Sequence, residues 1–364
     1  MARQVLARIA PAAVAVALAT TAFAQVSQQT LDAISTPDKV ETPVGTFGFF
    51  DGVPTDASVA ALYDNLDRMR AVEVFLNNQG AASLAFMRSG NAEIGANRSN
   101  KITISENLLD STSLYLTGNT STLYALGYLD LKADGPLVVE LPPGMLGFFD
   151  DAWFRYVEDL GLVGPDKGKG GKYLLLPPGH DGTIPDGYFV VHTPTYNNLL
   201  FLRGSIADGL ASAVENIKTK LKVYPLSKMD DPDETEFINF SGMSYNTVAP
   251  SDLSFFEGLN TVVQEEPIDA IGAETRGLLA SIGIVKGKPF QPNDRMKKLL
   301  SEAAAIGDAT ARAITYNPRM KGAFIYPDSD SSWVMGYANK DVFLTSTAPA
   351  ISTRERCFIS IILA

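Results

Sequence analysis

The chain is poor in the residues that most often do chemistry: one cysteine and two histidines in 364 residues. A single thiol cannot close an intramolecular disulfide. His180, in a Pro-Gly turn, and His192, in a β-forming run, are too few and too far apart for a histidine metal site or relay, and each reads first as a solvated or locally satisfied side chain. Positive charge is also scarce. Thirty Lys plus Arg against 41 Asp plus Glu give a formal charge of −11, which repels phosphate backbones and anionic lipid and excludes nucleic acid as a main partner. No G-x-S-x-G elbow, H-E-x-x-H pair, C-x-x-C pair or EF-hand loop occurs, so the sequence specifies no metal site and leaves the cofactor unknown.

What is present is an apolar content of 46% with 20% charged residues, the balance of a folded chain of two or three domains. The first 24 residues have a separate character. Arg3 and Arg8 precede an apolar run from Ile9 to Ala24 that closes on Ala22-Phe23-Ala24, the plan of a cleaved secretory signal peptide. Pro11, Thr20 and Thr21 make that run a poor membrane anchor, and no later run is long enough to span a bilayer. The expected product is exported and soluble, in the periplasm or secreted.

Residues 25–100 read as a polar arm followed by helices. Thr55 and Asp56 start a helix with apolar positions from Val59 to Leu76, Gly80 ends it, and a second short helix covers Ala81–Met87. Over 101–204 the period shortens. Segments at Lys101–Ser105, Ser113–Leu116, Ser121–Leu131, Leu137–Leu141, Lys172–Leu176, Tyr188–Thr193 and Asn198–Arg203 are β-forming and punctuated by Gly, Pro and Asp turns, predicting an antiparallel sandwich or barrel. Residues 205–315 return to helix at Ile206–Lys222, Asp252–Val263, Ile268–Ile282 and from Asn293 to Ile314. Loop and strand resume over 316–344. A G-x-x-G-F-F-D echo at Gly45–Asp51 and Gly144–Asp150 reads as two similar strand ends, because the flanking residues do not match.

Three segments carry candidate chemistry. Gly164–Lys172 (GPDKGKGGK) lacks the spacing of a phosphate loop and reads as a flexible hairpin; its Lys167, Lys169 and Lys172 could still attract an anionic ligand. Asp230–Glu234 reads as an exposed acidic loop rather than a calcium site. The densest segment is Phe148–Tyr156, where Asp150 and Asp151 lie among Phe148, Phe149, Trp153, Phe154 and Tyr156. An apolar setting could raise a carboxyl pKa and make a general acid or base; equally, the aromatics are core at a strand-to-helix junction, with one aspartate as a helix N-cap.

The runs Asn119–Leu131, Pro136–Pro142, Gly171–Gly179 and Ile184–Gly187 resemble the bacterial domain-of-unknown-function 1254 family, and Ile282–Pro292 with Ala309–Ala313 resembles the connection to its companion, domain 1214. The resemblance implies an exported α+β protein: an antiparallel β-sandwich with flanking helices, a helical linker, and a jelly-roll-like second domain. It implies no accepted catalytic set. Where many relatives carry an Asp after the Asn of the N-x-D-T-L-Y signature, this chain has Ser121. The tail 345–364, which holds the lone Cys357, does not continue the family pattern. A reading-frame shift near Thr345 would explain this and leave the second domain incomplete; the nucleotide sequence tests it, and a product without function is then one expectation.

For the chain itself the expectation is a binding or envelope-associated sandwich with a small-molecule ligand, Phe148, Trp153, Tyr156, Lys167 and Lys172 being the lining candidates. The alternative is a hydrolase-like enzyme acting on a small apolar ester, with Asp150 or Asp151 as general base. Self-association is left open.

Overall fold

The computed structural model describes residues 26–334 except 36, 116–117, 320–322 and 332. The signal-peptide segment, the tail from 345 and residues 335–344 of the expected second β domain therefore lie outside the described residues. Two compact units result, one up to Tyr63 and one from Asp64 onwards.

In the first unit the arm expected to be irregular forms a helix, α1 (Gln28–Ile34), and a small antiparallel sheet of β1 (Lys39–Thr42), β2 (Gly45–Phe50) and β3 (Val53–Pro54). Ser27 caps α1 by accepting from the Thr30 backbone N–H. The first G-F-F-D copy thus lies on a hairpin strand, with Phe50 exposed.

Helix α2 (Asp56–Asn77) begins where Thr55 predicts it, and α3 (Gln79–Glu93) follows directly. The break falls at Asn78, and Gly80 lies inside α3, which is longer than the expected Ala81–Met87. The β domain then runs through β4 (Lys101–Ile104), β5 (Leu123–Asp130), the one-turn α4 (Leu131–Asp134), β6 (Leu137–Leu141), β7 (Met145–Asp151), β8 (Tyr156–Gly161), β9 (Gly171–Leu176), β10 (Phe189–His192) and β11 (Asn197–Gly204). After α5 (Leu210–Lys220) come β12 (Lys222–Pro225) and β13 (Glu236–Asn239), so two strands interrupt the stretch expected to be helical. Helices α6 (Leu253–Glu265), α7 (Ala273–Ser281) and α8 (Asp294–Tyr316) complete it. The expected Ile268–Ile282 helix is split into a short 3-10 turn and α7.

The strands form a four-stranded sheet, β10-β9-β6-β12, and a six-stranded sheet, β13-β4-β5-β11-β7-β8. Pairing is mostly antiparallel, as expected, but β10 on β9 and β13 on β4 are parallel. Side chains alternate across each strand. Leu123, Ala125, Phe149, Leu200 and Leu202 of the larger sheet meet Leu137, Val139, Tyr173 and Leu175 of the smaller in one buried cluster. This is a sandwich core in an α+β chain. A second core joins α2, α3, α6, α7 and α8 through Phe75, Phe255, Phe256, Leu259 and Leu300. Gly307 lets α8 sit on Phe75, since a Cβ there would lie 2.4 Å from the ring.

The side chain of Asn293 caps α8 by accepting from the Met296 N–H. Asn293→Ala should lower the unfolding free energy by about 1 kcal/mol, read from urea melts followed by far-UV circular dichroism.

Candidate functional site

β7 lies between β11 and β8; its inner face is buried, while its outer face is exposed at Leu146, half-buried at Phe148 and buried at Asp150. Phe149 points into the sandwich core, while Phe148 lies on the outer face and stacks on Phe201 of β11 at 4.8 Å and 7°. Phe148 and Phe201 pack beside Leu84, Tyr128, Phe154 and Leu199 in a separate outer cluster. Asp150 shares that outer face, opposite Leu199 on β11 and Tyr156 on β8. A register shift between Phe149 and Asp150 bends the β7–β8 ladder at this point.

No helix follows β7. Asp151 opens a tight hairpin turn instead: its N–H donates to the Arg155 carbonyl at 2.9 Å and its carbonyl accepts from Phe154 N–H at 2.8 Å. The Asp151 carboxylate is 1% exposed and accepts from Trp153 N–H (2.8 Å), Arg155 N–H (3.0 Å) and Arg155 Nε (2.7 Å), with a further ion pair to the same guanidinium at 2.5 Å. It caps a turn, not the helix that the sequence offered as one alternative. Phe154 takes the position that usually requires glycine, with φ of 57°, and stays buried. Ala152 N–H donates to Thr195 Oγ1, and Arg155 reaches the Ala270 carbonyl, so the strained turn is fixed from both sides.

Asp150 differs sharply from its neighbour. It is 8% exposed, and among the described residues its carboxylate accepts no hydrogen bond. Burial, reinforced by the charges of Asp151 and Asp159, raises its pKa from 3.8 to about 7. Asp159, on β8, is itself raised by burial.

The other candidates separate. Trp153 joins the helical core beside Phe255 and Phe256, away from the Phe148 cluster, and Tyr156 is 65% exposed on the sheet edge. Lys167 and Lys169 are exposed, and Lys172 pairs with Glu140 at 3.1 Å. Their glycine-rich loop is organised by buried Asp166, which accepts from Gly161 N–H, Gly170 N–H and Tyr173 Oη, with Gly168 and Gly170 both at φ of 74°. His192 is exposed and His180 half-buried; Lys228 pairs with Asp233 in the exposed acidic loop. Among the described residues no group of three His, Cys, Asp or Glu side chains could hold a metal ion.

Two features escaped the sequence reading. A small crevice of about 20 Å³, room for little more than a water molecule, lies between α3, α6 and the larger sheet, bordered by Leu84, Arg88, Tyr128, Asn198 and Glu266. Its charged groups are already matched. Arg88 pairs with Glu265 at 2.5 Å, and Glu266, raised by burial, accepts from Tyr196 N–H, Asn197 N–H and Asn197 Nδ2. The second is Arg203, on the same outer face as Phe201, a placement that period-two alternation in NNLLFLRG could have flagged.

Comparison with known proteins adds fold and family. The chain is similar to the crystal structure of the VPA0106 protein from Vibrio parahaemolyticus, with 16% identity and a TM-score of 0.54 over 82% of this chain and 68% of that one. No curated protein matches. The family model described as protein of unknown function, DUF1254, matches residues 99–225, which run from just before β4 to the end of β12 and supply every strand of the sandwich except β13. Over residues 99–225 the chain is similar to the DUF1254 family.

Proposed function

We propose that this chain is an exported binding protein for a small, mostly apolar molecule, held on the outer face of the six-stranded sheet with Asp150 as its polar contact. The carrying observation is a contrast among buried carboxylates. Asp151, Asp166 and Glu266 each accept at least three hydrogen bonds, whereas Asp150 accepts none among the described residues. A carboxyl at 8% exposure with no protein donor is largely desolvated, a cost that a donor on a ligand would reduce. The surrounding Phe148, Phe154 and Leu199 suit an apolar body. Export rests on the Arg3–Ala24 pattern, and the acidic composition fits a soluble product.

Titration near pH 7 favours a second reading, in which Asp150 takes a proton from water during hydrolysis of a small ester. The two are separated by calorimetric titration with 1-decanol and its methyl ether, and by turnover of p-nitrophenyl acetate. Binding predicts that the alcohol binds at least about tenfold more tightly than the ether and that Asp150→Ala removes the preference. Ester turnover abolished by Asp150→Asn would replace it with the hydrolase reading, and equal affinity for alcohol and ether would overturn it.

A further inference from the structure

Arg203 is a second polar group on the outer face without a hydrogen-bond or carboxylate partner among the described residues. Its guanidinium lies 5.4 Å from the Phe201 ring centre and 5.5 Å from that of Tyr124. Its Nε is buried and makes no hydrogen bond, and among the described residues no carboxylate pairs with it. Arg88 and Arg155, by contrast, hold Glu265 and Asp151. Opposite Arg203 in the ladder is Leu146, 37% exposed.

The register relates this cation to the site already described. Asp150 faces Leu199 and Arg203 faces Leu146, so the two lie four residues apart along β11 and β7 on one face. At the rise of a β-strand that is about 13 Å. Between them is the stacked Phe148–Phe201 pair. The half-buried Phe148–Phe201 pair, flanked by Leu84 and Met87 of α3, thus has an acid at one end and, among the described residues, a cation without a carboxylate partner at the other.

Resting on the binding reading above, we propose that the site takes an extended ω-hydroxy carboxylic acid, its carboxylate on Arg203, its chain over Phe148 and Phe201, and its hydroxyl donating to Asp150. A ten-carbon chain has the matching length. Guanidinium favours a carboxylate because both are planar and can form paired charge-assisted hydrogen bonds, and the ring stacking holds Arg203 in place for this.

The test is calorimetric titration of the full chain with 10-hydroxydecanoate, its methyl ester and decanoate, using wild type, Arg203→Gln and Asp150→Ala, with thermal melts to establish that each variant folds. Arg203→Gln should weaken 10-hydroxydecanoate by about tenfold or more and leave the methyl ester unchanged. Asp150→Ala should weaken both hydroxyl compounds and leave decanoate unchanged. Equal loss for acid and ester in Arg203→Gln would make Arg203 a packing residue and overturn this inference while the Asp150 site stands. Independence of every ligand from Asp150 would overturn the binding reading itself. Absence of binding by all three would overturn the ligand class; retained preference for 1-decanol over its ether would then still support Asp150.

Discussion

Asp151→Asn should destabilise the protein by on the order of 2–3 kcal/mol at pH 7, read from urea unfolding followed by both tryptophan fluorescence and far-UV circular dichroism. The amide can still accept from the turn's backbone N–H groups, but its own NH2 must then face the Arg155 guanidinium, where the carboxylate now makes a hydrogen bond at 2.7 Å and an ion pair at 2.5 Å. Arg155 would keep its bond to the Ala270 carbonyl and its place over the Trp153 ring while losing its counter-charge. The cost is that of losing charge-assisted hydrogen bonds to a buried carboxylate; the Arg155 side chain is 33% exposed, so water compensates part of it. The loss also spreads, because Trp153 belongs to the helical core while Phe149, two residues before Asp151, belongs to the sandwich core. A change below about 1 kcal/mol would mean that packing alone holds this turn.

The same segment shows where the sequence is readable and where it is not. Leu137–Leu141 is found as a strand with its exact limits because Pro136 and Pro142 bracket a β-branched apolar run. α8 is found because Asn293 marks its start and apolar residues recur at helical spacing. β7 and β8 are not seen as a hairpin because Leu146 and Phe148 put apolar residues on the outer face as well, which erases from MLGFFDD the polar–apolar alternation that identifies a half-buried strand. The turn between them also hides, since Phe154 stands where glycine would have announced it. β13 is short and pairs with β4 across more than a hundred residues, a partnership no local pattern encodes. For the site, the sequence picks out Asp150 and Asp151 as a pair. It cannot tell them apart, because the difference lies in which face of β7 each occupies and which donors arrive from Arg155, Trp153 and the backbone.

Asp150→Asn should have the opposite effect to Asp151→Asn, and an effect that depends on pH. In the unfolded chain Asp150 loses its proton near pH 3.8, and in the folded chain near 7. Between those values the folded protein holds a proton that the unfolded chain has released, so rising pH removes stability across that window and the penalty is complete above it. A shift of that size corresponds to on the order of 4 kcal/mol at pH 8. Asparagine keeps the shape and cannot ionise, so the variant should match wild type within about 1 kcal/mol at pH 4 and exceed it by roughly 2–4 kcal/mol at pH 8. Asp159 and Glu266 are also raised by burial, and their contributions have the same sign. They are present in both proteins and largely cancel when the two unfolding free energies are subtracted, so the difference curve from pH 4 to 8 reports Asp150. A flat difference would mean that Asp150 ionises as an ordinary surface carboxylate and would remove the argument for a site around it. A rising difference that shrinks at pH 8 when 10-hydroxydecanoate is added would show the wild-type carboxylate gaining, from the ligand, the donor that its own fold does not supply.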